Sequence, residues 1–462
     1  MNKNNPHKSA ATSVIARIKE FYRPVRPIEP EDKAKVGTIY RRYRRHTLES
    51  TFFGYAIFYL VRNNLSTVAK DIENALHYDH NMVGSILALT AISYGLGKFL
   101  MGSLSDRSNP SRFMATGLLL TAICNFSFGS VANYNVHLIL WSLNGFVQGM
   151  GWPPCGRSIG HWFSIRERGS VFAIWNVAHN IGGGLAGILA AYAASHFGWQ
   201  AAFYFPAVIA LGGSLYLIWR LKDTPQSLGL PPIEEFKNDY PNGKKMQGIH
   251  EKELGTRDLF INYILTNKYL WLIAAANFFV YIVRYSMLDW GPTYLREMKH
   301  ASLAGGGLAI LIIEFGGIPS TILMGWLSDK FGGRRGMVSL LCMFPILGAF
   351  IGIYLNPPGN LWLDMTFLAI IGFFVSPPVM LLGVYGLDLT SKKAVGTAAG
   401  FIGLFGYIGR TVQAKGFGWI VEHYGGLYGK AFGWDVVMLS IMASTVAAIV
   451  LLSFTWNLKP RA

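Results

Sequence analysis

The sequence predicts an all-α polytopic membrane protein, with twelve transmembrane helices in two six-helix halves related by a pseudo-twofold axis. Three observations predict it. Of 462 residues, 52% are hydrophobic and only 14% charged, and mean hydropathy is positive, outside the range of ordinary soluble domains. Apolar stretches long enough to cross a hydrocarbon core of about 30 Å, roughly 20 residues each, recur twelve times. Finally, the chain repeats itself: GSLSDRSNPSR (102–112) returns as GWLSDKFGGRR (325–335), YLVR (59–62) as YIVR (281–284), and SIRERGSV (164–171) resembles SKKAVGTA (391–398).

In order, the elements are a polar, basic N-terminal segment (1–47), then spans near 48–66, 82–102, 113–131, 137–160, 169–194 and 200–220, which make the first half (48–220). Residues 221–268, containing DTPQSLGLPPIEEFKNDYPNGKK, read as a linker rather than a domain. The second half (269–456) has spans near 269–292, 303–326, 337–355, 361–385, 395–421 and 435–456, before a short tail (457–462). Residues 13–23 fit either an amphipathic segment on the membrane surface or a solvated tail. The start of the chain has no apolar stretch of signal-peptide type. Small residues crowd NIGGGLAGILAA (180–191) and AAGFIGLFGYIG (398–409), as closely packed helices require. Cys124, Cys155 and Cys342 have no metal or disulfide spacing and read as small apolar packers.

A net charge of +16 would suit a nucleic-acid binder, but the placement of the charges argues otherwise. They hug one side: YRRYRRH (40–46), DRSNPSR (106–112), RER (166–168), KFGGRR (330–335) and Lys392–Lys393, whereas the opposite loops carry only Lys70, Arg296, Lys299 and Lys430. By the positive-inside rule both termini are expected in the cytoplasm of a bacterial inner membrane, the bilayer and not nucleic acid being the partner.

A charged residue at the bilayer centre costs about 2.5–3.5 kcal/mol on insertion scales, so a chain that keeps one normally uses it. Arg62 and Arg284 fall near the middle of spans one and seven, Lys98 in span two and His179 in span five. Acidic residues of the first half lie only at span ends or in loops (Glu49, Asp71, Glu73, Asp79, Asp106, Glu167), so Arg62 and Lys98 have no embedded counter-charge. In the second half Asp289 and Glu314 are placed to neutralise Arg284, and pairing there stays open. The expectation is an electropositive chamber in which opposed guanidinium groups take a multiply charged anion. Two parallel hydrogen bonds from each fork suit a phosphate, with Lys98 as a point charge and His179 as a further donor. Tyr55, Tyr59 and Arg62 share roughly one helix face, and Tyr281 repeats the pattern beside Arg284.

At these residues the chain resembles the organophosphate:phosphate antiporters of the major facilitator superfamily, and within them the bacterial glycerol-3-phosphate transporters. The strings that carry it are GYAIFYLVRNN (54–64), SYGLGKFLMGSLSDRSNP (93–110), GMGWPPCGR (149–157), WNVAHNIGGG (175–184), DTPQSLGLPPIEEFKNDYP (223–241), FVYIVRYSMLDWGPTYL (279–295) and KKAVGTAAGFIGLFGYIG (392–409). The resemblance implies import of glycerol 3-phosphate in exchange for inorganic phosphate by rocking of the halves about a midplane site, without cofactor or metal. It also implies that Arg62 and Arg284 hold the phosphate, that His179 and Lys98 assist, and that Tyr55, Tyr59, Tyr281, Tyr407 and Asn176 line the pocket. Four positions depart from it. Asn63 stands where the relatives carry a lysine, Ser376 replaces a pocket tyrosine, and Arg410 and Lys415 occupy small-residue positions, the lysine resembling the hexose-phosphate carriers. These add Lys415 to the candidate ligands and keep hexose 6-phosphate or phosphoglycerate as alternative substrates. Asp106, Arg107 and Arg112, with their copies Asp329, Lys330, Arg334 and Arg335, are expected to be conformational locks.

Two rivals are a proton-driven carrier using Asp289 or Glu314, and a membrane sensor of external sugar phosphate built on the same fold. No phosphate-binding Gly loop, zinc spacing or nucleophile elbow supports an enzyme. A monomer is expected.

Overall fold

The computed structural model describes residues 16–25, 33–105, 108–238, 265–388 and 395–457, and among them the regular structure is entirely helical. The first half holds α1 (Lys33–Leu60), α2 (Asn64–Leu76), α3 (His80–Ser105), α4 (Pro110–Ser130), α5 (Tyr134–Gln148), α6 (Trp152–Trp162), α7 (Ile165–Phe197) and α8 (Ala201–Arg220). A short turn of helix at Pro225–Leu228 and α9 (Ile233–Lys237) follow. The second half holds α10 (Lys268–Tyr285), α11 (Gly291–Met298), α12 (Leu303–Lys330), α13 (Arg335–Leu355), α14 (Leu361–Asp388), α15 (Val395–Tyr428) and α16 (Lys430–Ser453), with a π-helical turn, Ser286–Trp290, between α10 and α11.

Paired as α1–α2, α5–α6 and α10–α11, these helices make twelve spans. Nine of the spans are long and apolar enough to cross a bilayer on that ground alone. The other three are α1–α2 and α5–α6, which are interrupted, and α15, which carries Arg410, Gln413 and Lys415. Irregular backbone at membrane depth is tolerated only where protein satisfies it, and the break at 61–63 meets that condition. Val61 O accepts from Asn125 Nδ2 (3.0 Å) and Asn144 Nδ2 (3.1 Å), while Phe58 O accepts from Gln148 Nε2 (3.0 Å). Asn64, at the start of α2, donates to Asn125 Oδ1 and Ala202 O, both at 2.9 Å. In α5–α6 the interruption is Gly149–Gly151 followed by prolines in the first turn of α6, where a missing N–H costs nothing. Pro292 plays the same part at the start of α11.

The glycines are contact surfaces. A Cβ on Gly187 would sit 2.7 Å from Gly307 O, and one on Gly307 would sit 2.5 Å from Gly187 O, so α7 and α12 touch backbone to backbone across the halves. A Cβ on Gly182 would lie 2.2 Å from Ala56 O, locking α7 onto α1. Gly182→Ala is therefore expected to destabilise the protein by about 1–3 kcal/mol, the usual cost of overpacking. Gly212→Ala, where a Cβ meets nothing within 4 Å, should leave thermal stability in detergent unchanged. Cys124, Cys155 and Cys342 are buried and free, as packers.

Call the face where α1 begins and α16 ends the terminal face, and the opposite one the distal face. On the terminal face the helical residues 16–22 dock on α4: Tyr22 Oη donates to Thr116 Oγ1 (2.9 Å) and Arg112 Nη1 to Phe21 O (2.7 Å). Thus this segment is not a free tail where it is described, and it leaves Ile18 and Phe21 exposed; residues 13–15 lie outside the described residues. Asp223 receives Arg157 (3.3 Å) and Val25 N (2.8 Å), and Phe236 of α9 stacks on Tyr40 (4.1 Å), so the first part of the linker packs on α1 and α6.

Candidate functional site

The two breaks put the two arginines where a helix would otherwise run on. Arg62 sits in the gap between α1 and α2, and Arg284 in the last turn of α10, just before the π-helical turn. A π-helical turn of this kind occurs frequently at functional sites. Both are buried, at 8% and 7% exposure. They line one cavity between the halves, together with Tyr59, Tyr285, Asp289, Glu314 and Arg410.

Their environments differ. Arg62 lies over the rings of Tyr59 (3.8 Å) and Tyr94 (4.8 Å). Its buried Nε has no hydrogen-bond partner, and among the described residues it makes no ion pair. Arg284 does have an acid beside it: Nη2 lies 3.4 Å from both oxygens of Glu314, and Nη1 donates to Ser376 Oγ at 3.0 Å. Of the two acids placed to neutralise Arg284, Glu314 is the one beside it, so only Arg62 of the two central guanidiniums lacks a carboxylate companion among the described residues. The pairing is loose, since 3.4 Å exceeds the ordinary range for such a bond, and Glu314 is also held by Asn180 Nδ2 (2.9 Å) from the other half. Asp289, the second candidate neutraliser, is engaged elsewhere. It takes a bidentate pair from Arg410, Nε to Oδ2 at 3.1 Å and Nη2 to Oδ1 at 2.8 Å, with Arg410 stacked 4.0 Å over Tyr285.

The balance of charge stays positive. Three guanidiniums face two carboxylates on the cavity wall, and Lys98, 5.4 Å from the Trp152 ring and 6.0 Å from the Tyr407 ring, makes no ion pair among the described residues. The wall itself thus carries one uncompensated positive charge, and Lys98, a second, is not among the residues that line it.

Of the candidate ligands, Tyr59, Arg62 and Arg284 line the cavity, and a layer of aromatic rings continues from Tyr59 and Tyr285 beyond the lining. Tyr94, Tyr407, Tyr281 and Tyr285 form a chain with centroids 5.1, 5.6 and 5.6 Å apart. Tyr55 stacks on Trp175 (4.8 Å) and meets Tyr59 (5.4 Å), which meets His179 (5.7 Å). The Nδ1 of His179 donates to Asn176 O, which leaves Nε2 as an acceptor unless the ring is doubly protonated. His179 and Asn176 are thus neighbours one turn apart on α7, both half-buried.

Of the candidate ligands, Lys415 stands apart. Its Nζ bonds Asn81 Oδ1 (2.5 Å) and Ser85 Oγ (2.6 Å) on α3, eight residues or about 12 Å along α15 from Tyr407. Sequence reasoning missed Tyr285 as a wall residue and Tyr94 as a ring against Arg62, and gave Arg410 no place in the site. Tyr94 had a signal, lying one turn before Lys98 on the same face. Of the expected locks, Asp106 and Arg107 lie outside the described residues, as does the side chain of Asp329. Arg112 holds Phe21 as above, Lys330 lies 5.0 Å from the Trp326 ring, Arg335 donates to Ser328 Oγ, and Arg334 is half-buried.

A set of hydrogen bonds and ion pairs joins the two halves at the cavity and on its distal side. Arg296 pairs with Asp71 (2.6 and 3.0 Å), Lys70 with Glu297 (2.5 Å), and His80 N and Nδ1 with Glu422 Oε1 (2.9 and 2.7 Å). These contacts tie the halves together on the distal side of the site.

The Major Facilitator Superfamily model matches residues 51–414. The glycerol-3-phosphate transporter of Bacillus subtilis (strain 168) is 43% identical over 449 residues, 96% of this chain and 99% of its own. The probable hexose phosphate transport protein of Chlamydia pneumoniae is 38% identical, over 95% and 97% of the two chains. In fold, the chain matches a bacterial homolog of the human lysosomal transporter Spinster with a TM-score of 0.72 at 16% identity, covering 90% of this chain and 96% of that one.

Proposed function

The chain belongs to the major facilitator superfamily, in its organophosphate:phosphate antiporter family, and from that premise we propose that it imports glycerol 3-phosphate in exchange for inorganic phosphate. One observation carries the reading: Arg62, buried and without an ion pair among the described residues, lines a cavity with Arg284 at the junction of the halves. At about 4 Å and an effective dielectric near 20, one unit charge pair is worth roughly 4 kcal/mol before desolvation. A dianion supplies the negative charge that Arg62 lacks and draws Nη2 of Arg284 off its long contact with Glu314, which Asn180 continues to hold. With the repulsion between the guanidiniums relieved, the halves rock about the bound oxyanion and present it to the other face; the empty carrier turns over slowly. Exchange is the consequence, because inorganic phosphate offers the same oxyanion.

The departures that point to larger or more acidic cargo are satisfied within the protein. The charge of Arg410 is taken by Asp289 and that of Lys415 is directed to α3, so neither is free for a second anionic group. This favours glycerol 3-phosphate over phosphoglycerate. Lys98, His179, Asn176, Tyr55, Tyr59, Tyr281 and Tyr407 orient the guest. The terminal face, with Arg41, Arg42, Arg44 and Arg45 on α1, is the cytoplasmic face of the inner membrane. Arg112, Lys330, Arg334 and Arg335, with Asp106, Arg107 and Asp329, lock it in turn, and the carrier works as a monomer.

The test is a competition panel against labelled phosphate self-exchange in proteoliposomes. Glycerol 3-phosphate is expected to compete at lower concentration than glucose 6-phosphate or 3-phosphoglycerate. A reversed ranking would reassign the organic half of the substrate, and absence of turnover with all of them would support the sensor instead.

A further inference from the structure

On the distal face, away from the cavity, three potential metal ligands converge from three helices: Glu73 of α2, His80 at the start of α3 and Glu297 of α11, their donor atoms all within 4.8 Å of one another. Two come from the first half and one from the second. Both oxygens of Glu73 are buried without a hydrogen-bond partner, in a residue only 5% exposed. The nearest cations are Lys70 Nζ at 3.5 Å and His80 Nε2 at 3.9 Å. A buried carboxylate left unsatisfied is costly and asks for a partner that the protein does not supply.

The histidine is oriented as a metal-binding imidazole is oriented elsewhere. Its Nδ1 is anchored on Glu422 Oε1 (2.7 Å), a carboxylate outside the cluster, which directs Nε2 at Glu297 Oε2 (3.1 Å) and Glu73. A carboxylate behind the imidazole fixes ring and tautomer for ligation. Two ligands at about 2.0–2.1 Å from a tetrahedral ion stand about 3.3 Å apart, and the separations of 3.1 and 3.9 Å from Nε2 bracket that spacing. Lys70, 2.5 Å from Glu297 Oε1, now supplies the positive charge beside the cluster.

We propose that Glu73, His80 and Glu297 form a binding site for a divalent transition-metal cation, with Zn²⁺ favoured by the one-imidazole, two-carboxylate donor set, and that the ion clasps the two halves together at the distal face. Glu297 already receives Lys70, Lys430 (3.1 Å) and Trp434 Nε1 (2.9 Å). The cation therefore competes with Lys70 rather than adding to it.

The test is Zn²⁺ titration of the purified full-length protein in detergent by calorimetry, with Co²⁺ as a spectroscopic probe. One saturable site is expected, weakened at least tenfold by Glu73→Gln and by His80→Gln and tightened at least threefold by Lys70→Gln, with bound Co²⁺ showing the intense visible absorption of a tetrahedral site. Absence of saturable Zn²⁺ binding to the parent protein, or binding that Glu73→Gln and His80→Gln leave within threefold of it, overturns the proposal. So does weaker binding in Lys70→Gln. The parent titration and the Co²⁺ spectrum decide the matter even if a glutamine variant does not fold.

Discussion

Arg62→Lys is expected to abolish phosphate exchange while leaving the protein as stable as the parent. The two halves of that expectation have separate causes. Exchange fails because an ammonium is a point charge that cannot offer the paired, planar donors of a guanidinium fork. Removing one oxyanion-holding donor from a closed site costs about 10²–10³-fold in rate, and a fall of at least about 10²-fold in phosphate self-exchange is expected on that scale. Stability survives because Arg62 makes no ion pair among the described residues, so no buried acid is orphaned when it is shortened. Self-exchange in proteoliposomes and a thermal melt in detergent check both parts. A variant that exchanges at near-parent rate would show that bidentate capture at Arg62 is not required.

Asp289→Asn is expected to behave in the opposite way, losing stability first. Asp289 and Arg410 are 3% and 7% exposed and joined by two short hydrogen bonds. Removing one partner of a buried pair leaves the other charge uncompensated, at about 3–5 kcal/mol. The double variant Asp289→Asn with Arg410→Gln removes both charges and should recover most of the loss, which a thermal melt of the four members of the cycle would read. The single variant should also admit phosphoglycerate as a better competitor, since Arg410 is then free for a carboxylate. An Asp289→Asn protein that melts with the parent would mean that the pair is not a stabilising contact.

The contrast between these two arginines explains what was legible in the sequence. Apolar length, loop charge and the echo of YLVR in YIVR are local signals, and they located twelve spans and both central arginines. The break at 61–63 was hidden in an apolar run. What permits it is Asn125, Asn144 and Gln148 on other helices offering donors to the freed carbonyls, and only the packed bundle brings them there. Pairing was hidden for the same reason. Glu314 reaches Arg284 from 30 residues away and Asp289 reaches Arg410 across 121, so periodicity could nominate Asp289 and Glu314 as neutralisers but not assign them. Lys415 read as a site residue through its likeness to the hexose-phosphate carriers, a likeness that carries no information about where its amine lies in the bundle. Helical rise carried it past the cavity to Asn81 and Ser85.

The central claim is that a dianion must sit between the halves before they can move, and efflux of trapped phosphate tests it most directly. Liposomes carrying the parent protein and loaded with labelled phosphate should retain the label in anion-free medium and release it when phosphate or glycerol 3-phosphate is added outside. Release at the same rate with no anion outside would contradict the account.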